Sequence, residues 1–112
     1  MLDAVARRLE QYMDLLSARQ RLVAANIANA DTPGYKTKDI DFQAELRNAI
    51  QGLAPQPREV AGLAVKNDGN NVSLDREARL LAENALRFSV ASQLARAELR
   101  ILKNAIQEGK GT

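Results

Sequence analysis

The feature that most limits the fold is a repeat in the last third of the chain, where ten small or apolar residues follow at alternating steps of four and three. We call these ten residues the heptad seam: Leu74, Ala78, Leu81, Ala85, Phe88, Ser92, Ala95, Leu99, Leu102 and Ile106. Such steps place side chains along one side of an α-helix, and a sustained repeat of seven is typical of a coiled coil. With Ser73 as the N-cap, the pattern predicts a helix over residues 73–108.

A second amphipathic pattern lies at the beginning of the chain and predicts a long helix over residues 3–29. Its apolar residues fall on one helical face: Val5, Leu9, Tyr12, Met13, Leu16, Val23 and Ile27. Pro33 and Gly34 then turn the chain, because proline disfavours a helical residue before it and glycine permits positive φ. We therefore expect an all-α fold in a single domain over residues 1–112. Two long helices form a coiled-coil hairpin, joined by a partly irregular connector over residues 30–72.

The connector carries weaker signals. Asp41 is a candidate N-cap for a short helix, whose apolar side would be formed by Phe42, Leu46 and Ile50. A short strand is predicted over residues 59–66. Asparagine, aspartate and glycine at residues 67–71 favour turns, because short polar side chains compete for backbone hydrogen bonds.

Each long helix also carries apolar residues away from its main face. They are Leu15 and Leu22 in the first helix, and Leu80, Leu86, Val90, Leu94 and Ile101 in the second. Two helices cannot bury both faces of each other, and the connector looks too small and polar to cover this surface. We therefore predict assembly faces at Leu15, Leu22, Leu80, Leu94 and Ile101, which neighbouring copies or a large partner would cover.

Composition argues against catalysis and nucleic-acid binding. The chain has no cysteine and no histidine, which removes thiolate nucleophiles, the usual zinc ligands and the commonest general base. Sixteen basic and fourteen acidic residues are interspersed rather than clustered. We expect no catalytic residue, cofactor, metal site, small-molecule substrate or nucleic-acid partner. The beginning of the chain reads as a helix, so any export from the cytoplasm is expected to proceed without a cleaved signal peptide.

One segment contains residue types that helix formation alone does not require. It contains Asn26, Asn29 and the run Thr32, Pro33, Gly34 and Tyr35. The two carboxamides lie on one side of the last helical turns, where they can bond carbonyl groups left without partners. The Tyr35 ring can lie back on the helix while its hydroxyl reaches water or a neighbour. An ordinary helix cap and turn would have the same composition, so this alternative stays open.

The segment resembles the N-terminal signature of the flagellar axial proteins, the rod, hook and hook-associated family. In that signature a long helix ends in Asn-x-x-Asn-x-x-Thr-Pro-Gly-Tyr, as residues 26–35 do here. Residues 38–42 and 68–77, with Asn84, Arg87 and Phe88, most resemble the first proximal rod member, and the second proximal rod member is the rival. The resemblance covers roughly residues 9–108 and is weak at about 50–66.

The resemblance implies a structural subunit of the bacterial flagellar basal body. It implies a proximal rod position in the periplasm, where the rod transmits torque and encloses an export channel. Implied partners are copies of the chain, other rod proteins, the membrane-ring protein with its rod adapter, and the flagellar export apparatus. A soluble coiled-coil adaptor that binds one helical partner is the alternative of a different class.

Overall fold

A computed structural model describes residues 2–110. Within this range, three helices and two short strands follow in the order α1 (Leu2–Ala28), β1 (Lys38–Asp39), α2 (Phe42–Ile50), β2 (Arg58–Glu59) and α3 (Leu74–Lys110). The prediction of a mostly helical chain with two long helices is confirmed, with two strands in addition. Residues 1, 111 and 112 of the predicted domain lie outside the described range.

The two long helices lie side by side and run in opposite directions. The side-chain amide of Asn70, just before α3, donates to the carbonyl oxygen of Asn29, just after α1, at 2.9 Å. The end of α1 and the beginning of α3 therefore lie at the same end of the molecule. Further along, the Asn84 amide donates to the Gln20 side-chain oxygen across the helix pair at 3.3 Å.

The face of α3 that meets α1 is not the predicted one. Its buried residues are Glu77, Leu80, Asn84 and Ala91. The large residues of the heptad seam are instead exposed, at 57% for Leu74 and 64% for Leu99. The prediction that the seam forms the contact with α1 is therefore wrong for the single chain. The apolar periodicity does not predict this contact, because two of the four buried residues, Glu77 and Asn84, are polar.

The connector covers one of the faces predicted to be free. Leu15 and Leu16 of α1 are 2% and 1% exposed, and they pack with Ile40 and Phe42 in the main apolar cluster. Leu22 packs against the same cluster, and Leu80 of α3 is 8% exposed. The prediction of free faces at Leu15, Leu22 and Leu80 is therefore wrong. The connector is polar on average, but Ile40, between β1 and α2, and Phe42, the first residue of α2, pack directly on α1.

Leu94 and Ile101 are exposed, at 53% and 57%, and their role as assembly faces stays a prediction. From Leu99 to Lys110 every described residue of α3 is exposed. The part of α3 that α1 covers therefore ends near Glu98.

Phe42 anchors α2 on the two long helices. Asp41 is the N-cap of α2, as predicted, and its carboxylate accepts from the Ala44 amide. The Phe42 ring meets Tyr12 edge-on, with ring centroids 5.5 Å apart. The guanidinium groups of Arg19 and Arg87 lie 5.9 and 5.6 Å from the ring centroid, within the range of cation–π attraction.

The strand predicted over residues 59–66 is shorter than expected. β2 pairs antiparallel with β1, with Lys38 opposite Glu59 and Asp39 opposite Arg58. One further backbone hydrogen bond follows, from the Val60 N–H to the Thr37 carbonyl at 3.0 Å, and the chain then bends at residues 61–62. Among residues 2–110, no helix combines the length and apolar character that a membrane crossing requires.

Candidate assembly site

The end of α1 and the turn that follows are held by side chains of the predicted motif. The Asn29 side-chain amide donates to the Ala25 carbonyl at 2.8 Å, but this carbonyl also accepts from the Asn29 backbone N–H at 3.1 Å, so it is not one left without a partner. Its side-chain oxygen accepts from the Thr32 hydroxyl at 3.0 Å. Pro33 and Gly34 form the exposed tip, where Gly34 has a φ of +74°.

Asn26 has a different role from the predicted one. It is 1% exposed and faces the connector instead of the end of its own helix. Its side-chain amide donates to the Lys38 carbonyl at 2.8 Å, and its side-chain oxygen accepts from the Lys38 backbone N–H at 3.1 Å. The same oxygen accepts from the Tyr35 hydroxyl at 3.1 Å. Asn26 therefore pairs with β1 as another strand would, and the Tyr35 hydroxyl is used inside the molecule.

Asn70 ties the segment before α3 to the turn after α1. It is fully buried, and its side-chain amide donates to the carbonyl oxygens of Asn29 and Thr32 at 2.9 and 2.8 Å. Its side-chain oxygen accepts from the Val72 N–H at 2.9 Å. One carboxamide thus satisfies backbone groups on two loops that are about forty residues apart in sequence.

Asn71 adds a second set of bonds beside the first. Its side-chain oxygen accepts from the Thr37 backbone N–H at 2.6 Å, and its own backbone N–H donates to the Tyr35 carbonyl at 3.2 Å. Gly34 N–H donates to the Asp68 carbonyl at 2.9 Å. The turn after α1 and the loop before α3 therefore pair along their backbones. We call this paired region the junction.

Two glycines allow the loops to approach this closely. Gly69 has a φ of +86°, and a Cβ atom there would lie 3.3 Å from the Gly34 Cα. Most Cβ contacts are wider, and side chains rarely adopt this φ. A side chain at position 69 would therefore push the turn after α1 away from the loop before α3.

A buried ion cluster fixes the connector to both long helices. Asp39 of β1 accepts two hydrogen bonds from Arg19 of α1, at 3.1 and 3.0 Å, and one from Arg76 of α3 at 2.5 Å. Burial alone would raise the pKa of Asp39, but hydrogen bonds from Arg19, the Ile40 amide and Arg76, together with the Arg19 charge, hold it below its usual value. The cluster therefore favours an ionised Asp39.

Glu77 extends this cluster beneath the junction. It is fully buried, and one of its carboxylate oxygens accepts from Arg76 at 2.8 Å, while the other has no hydrogen-bond partner in the protein. Burial raises the pKa of the Tyr35 phenol, and the negative charge of Glu77 raises it further. The Glu77 carboxylate is therefore close enough to Tyr35 to affect the pKa of its phenol.

The structure brings together part of what the sequence predicted. Asn26, Asn29, Thr32 and Tyr35 share one network, whereas Leu94 and Ile101 lie on the other half of α3. Residues 38–42 and 68–77 carry part of the family resemblance, but the sequence predicted no role in this junction for the polar residues that complete it: Arg19, Thr37, Asp39, Asn70, Asn71, Arg76 and Glu77. The pair Asn70–Asn71 was interpreted as a turn former, and its side-chain acceptors lie too far away in sequence for a local pattern to reveal.

The junction consists mainly of polar side chains and backbone groups of the two loops. Its polar groups bond mainly to each other and to backbone, and within residues 2–110 no group of three metal-binding side chains could hold an ion. Comparisons with known proteins agree with a structural role. The family profile described as "Flagella basal body rod protein" matches residues 13–36. This match covers the second half of α1 and the whole motif from Asn26 to Tyr35.

Individual relatives match almost the whole chain. The flagellar basal body rod protein FlgB of Escherichia coli K12 is 32% identical, over 96% of each chain. FlgB of Salmonella typhimurium is also 32% identical, over 96% of this chain. The chain belongs to the FlgB family of flagellar basal body rod proteins. FlgB of Borrelia hermsii is 32% identical over 75% of this chain and 82% of its own length. The FlgB relatives thus include both enterobacterial and spirochaete proteins.

Proposed function

We propose that this chain is a wall subunit of the proximal rod, and that it acts as one assembly unit. In this role it transmits torque and helps to enclose the channel through which later flagellar proteins pass. The FlgB relatives, named as basal body rod proteins, support this assignment.

The observation that carries the proposal is the amount of apolar surface that α3 leaves uncovered. Ten large apolar residues of this helix are at least 39% exposed: Leu74, Leu81, Leu86, Phe88, Val90, Leu94, Leu99, Ile101, Leu102 and Ile106. Isolated proteins rarely expose so many large apolar residues along one helix unless they form a binding site. A helix with this surface is suited to bury it against neighbouring subunits.

The polar junction supplies the rigid part of the subunit. It fixes α1, the connector and α3 to each other through hydrogen bonds and ion pairs within one chain. Torque transmission requires that a subunit keep its shape under load, and buried networks of paired polar groups help to define one arrangement. The coiled-coil contacts expected of the heptad seam would then form between subunits.

The proposed partners are copies of this chain, other rod proteins, the membrane-ring protein with its rod adapter, and the export apparatus. The proposed location is the periplasmic part of the basal body, reached by flagellar export without a cleaved signal peptide. The exposed faces of α3 support contacts with helical neighbours of this kind.

A deletion experiment tests the function. The gene is deleted in its own bacterium, swimming is measured, and isolated basal bodies are imaged by electron microscopy, with a plasmid copy as the control. We expect membrane rings without rods in the deletion strain and complete rods when the plasmid is present. Normal basal bodies in the deletion strain would contradict the proposal and favour the adaptor alternative.

A further inference from the structure

α3 has two sides that could pack on α1. One is the first half of the heptad seam, which carries Leu74, Leu81 and Phe88 as its large apolar residues. The other is the side that meets α1 in the structure, where the buried residues are Glu77, Leu80, Asn84 and Ala91. With about 100° of rotation per residue, the centres of the two sides lie roughly 100° apart around the helix. Rotation of α3 about its own axis would therefore exchange one packing for the other.

Apolar burial favours the side that the structure leaves exposed. Leu74, Leu81 and Phe88 of the seam are 57%, 39% and 41% exposed, whereas Leu80 is the one large apolar residue among the four buried ones. The free energy gained by burial grows with the apolar area removed from water. The seam therefore offers α1 more apolar surface than the observed side does.

The observed side also buries polar atoms without partners. Glu77 is fully buried and Asn84 is 4% exposed. One carboxylate oxygen of Glu77 and the side-chain oxygen of Asn84 have no hydrogen-bond partner among residues 2–110. Such groups are costly, because they lose their hydrogen bonds to water. The observed rotation of α3 therefore needs a cause other than burial.

The ion cluster of Arg19, Asp39, Arg76 and Glu77 supplies that cause. Arg19 of α1 donates two hydrogen bonds to Asp39, which hold the carboxylate beside α1. Arg76 of α3 donates to the same carboxylate at 2.5 Å and to Glu77 at 2.8 Å. A rotation of α3 by roughly 100° would carry the Arg76 side chain away from Asp39. The ion cluster can therefore form only with the observed side of α3 on α1.

The junction positions the start of α3 but leaves its rotation open. Asn70 and Asn71 bond the turn after α1, and the Asn70 oxygen reaches forward to the Val72 N–H. Arg76 lies one helical turn further along, and its bond to Asp39 joins α3 itself to another element. The ion cluster is therefore the contact that fixes how this part of α3 is turned about its axis.

Two further contacts agree with this rotation. The Asn84 amide donates to the Gln20 side-chain oxygen at 3.3 Å, and the Arg87 guanidinium lies 5.6 Å from the centroid of the Phe42 ring. The first joins neutral groups and the second joins a charge to a ring face. Both are weaker than hydrogen bonds between opposite charges, so they support the rotation that the ion cluster sets.

We infer that the ion cluster selects between two packings of α3 and keeps the heptad seam out of the contact with α1. Buried ion pairs often add little to stability, because desolvation offsets their attraction, but in some proteins buried polar groups specify one of several packings. Here the competing packing is an apolar one within the same chain. The inference concerns the rotation of α3 in a single chain and does not depend on the proposed function.

Removal of the ion cluster has a defined consequence. When apolar side chains of similar size replace its charges, α3 should turn until the seam packs on α1. The chain should stay helical, because the seam provides the buried face that the long helix needs. The apolar surface of the seam would then be covered within the chain.

Cysteine pairs report the rotation of α3, because the chain has no cysteine of its own. Gln20→Cys is combined either with Asn84→Cys, which faces it in the structure, or with Ala85→Cys on the seam. Both pairs lack the Gln20 side chain, so the bond from Asn84 is lost in both. Purified full-length chain is oxidised at low concentration, and mass spectrometry measures the rate at which the intramolecular disulfide forms.

Each pair is placed in the natural sequence and in two replacement backgrounds. The first combines Arg76→Met and Glu77→Met, which removes the α3 half of the ion cluster and leaves Arg19 paired with Asp39. The second adds Arg19→Met and Asp39→Leu, which removes the whole cluster. Circular dichroism measures the helix content of every variant.

A matched control removes an ion pair that does not join α3 to another element. Glu83→Gln breaks the pair of Glu83 with Arg87, which lies within α3 at 2.8 Å. The Asn84 pair should crosslink faster than the Ala85 pair in the natural sequence and in this control. The order should reverse in at least one replacement background that keeps its helix content.

Four results would overturn the inference. If the natural order persisted in every helical replacement background, the rotation would be set by other contacts. Loss of helix content in both backgrounds would show that the chain has no second packing to adopt. Equal rates for the two pairs in the natural sequence would show that α3 has no fixed rotation. A reversal in the Glu83→Gln control would show that the effect is not specific to the ion cluster.

Discussion

Asn26 of α1 bonds both backbone polar groups of Lys38, donating to the carbonyl at 2.8 Å and accepting from the N–H at 3.1 Å. This pairing gives β1 a partner on the α1 side, while β2 pairs with it on the other. Because the same Asn26 oxygen also accepts from Tyr35, one buried side chain sets the path of the chain after the turn.

Asn26→Ala should reduce the free energy of unfolding by about 2–3 kcal/mol, since it leaves the Lys38 backbone groups and the Tyr35 hydroxyl without partners. Urea unfolding followed by circular dichroism measures the change. Asn104→Ala, on the exposed end of α3, is the control and should change stability by less than about 0.5 kcal/mol. Equal effects of the two substitutions would contradict the role of Asn26.

Asp39→Asn should cost about 3 kcal/mol at pH 7, because Arg19 and Arg76 would keep their buried charges without a carboxylate between them. The pKa of Asp39 is lower in the folded protein than its ordinary value. Its contribution is therefore complete above the unfolded pKa, near 4, and is lost as the pH falls through the folded pKa.

Unfolding free energies between pH 7 and pH 3 check this pH dependence. The wild type should lose more stability than Asp39→Asn as the pH falls below about 4. Asp14→Asn, at an exposed site on α1, should leave the wild-type curve nearly unchanged. Parallel curves for the wild type and Asp39→Asn would contradict the prediction.

Gly69→Ala should destabilise the chain more than Gly62→Ala. Both glycines have positive φ, +86° and +81°, so both substitutions carry a similar backbone strain. Only a side chain at position 69 would also meet the Gly34 backbone, whereas position 62 faces open space. We expect an additional loss of about 1–3 kcal/mol for Gly69→Ala, measured by thermal unfolding. A larger loss for Gly62→Ala would show that the two loops do not pack closely.

Leu94→Asp and Ile101→Asp should each prevent rod assembly while the chain is still exported. Both side chains are more than half exposed, so neither substitution should alter the stability of the free chain by more than about 0.5 kcal/mol. Swimming assays and detection of the exported chain provide the two measurements, with Gln93→Asp as the control. Loss of export in these variants would argue against a specific role in assembly.

The distal end of α3 should exchange its amide hydrogens quickly in the free chain. Residues 99–110 are exposed and lie beyond the part of α3 that α1 covers, so packing adds little to their helical stability. Residues 76–91, which contact α1 and the connector, should exchange slowly. Hydrogen exchange measured by mass spectrometry would contradict this if both segments were equally protected.

Several features of the fold could be predicted from local sequence. The two long helices, the turn at Pro33 and Gly34 and the N-cap at Asp41 each depend on residues close together in the chain. The motif around Asn26 was also recognisable, because its residue types and spacing are contiguous. The surplus of apolar surface on α3 followed from counting residues on a helix of known geometry.

The contacts that decide which of those surfaces is buried could not be predicted in this way. The buried side of α3 depends on Arg76, which bonds both the Asp39 carboxylate on β1 and the buried Glu77, and an apolar pattern assigns no weight to such polar anchors. Leu15 is buried because the connector places Ile40 and Phe42 against it.

The sequence by itself therefore determined the length and apolar periodicity of the helices, the position of the turn and membership in the flagellar rod family. Tertiary structure alone decided how α3 is rotated about its axis and which apolar residues stay exposed. The reason is physical: helix formation follows from neighbours in the chain, whereas the rotation is set by ion pairs and carboxamide bonds between segments more than thirty residues apart.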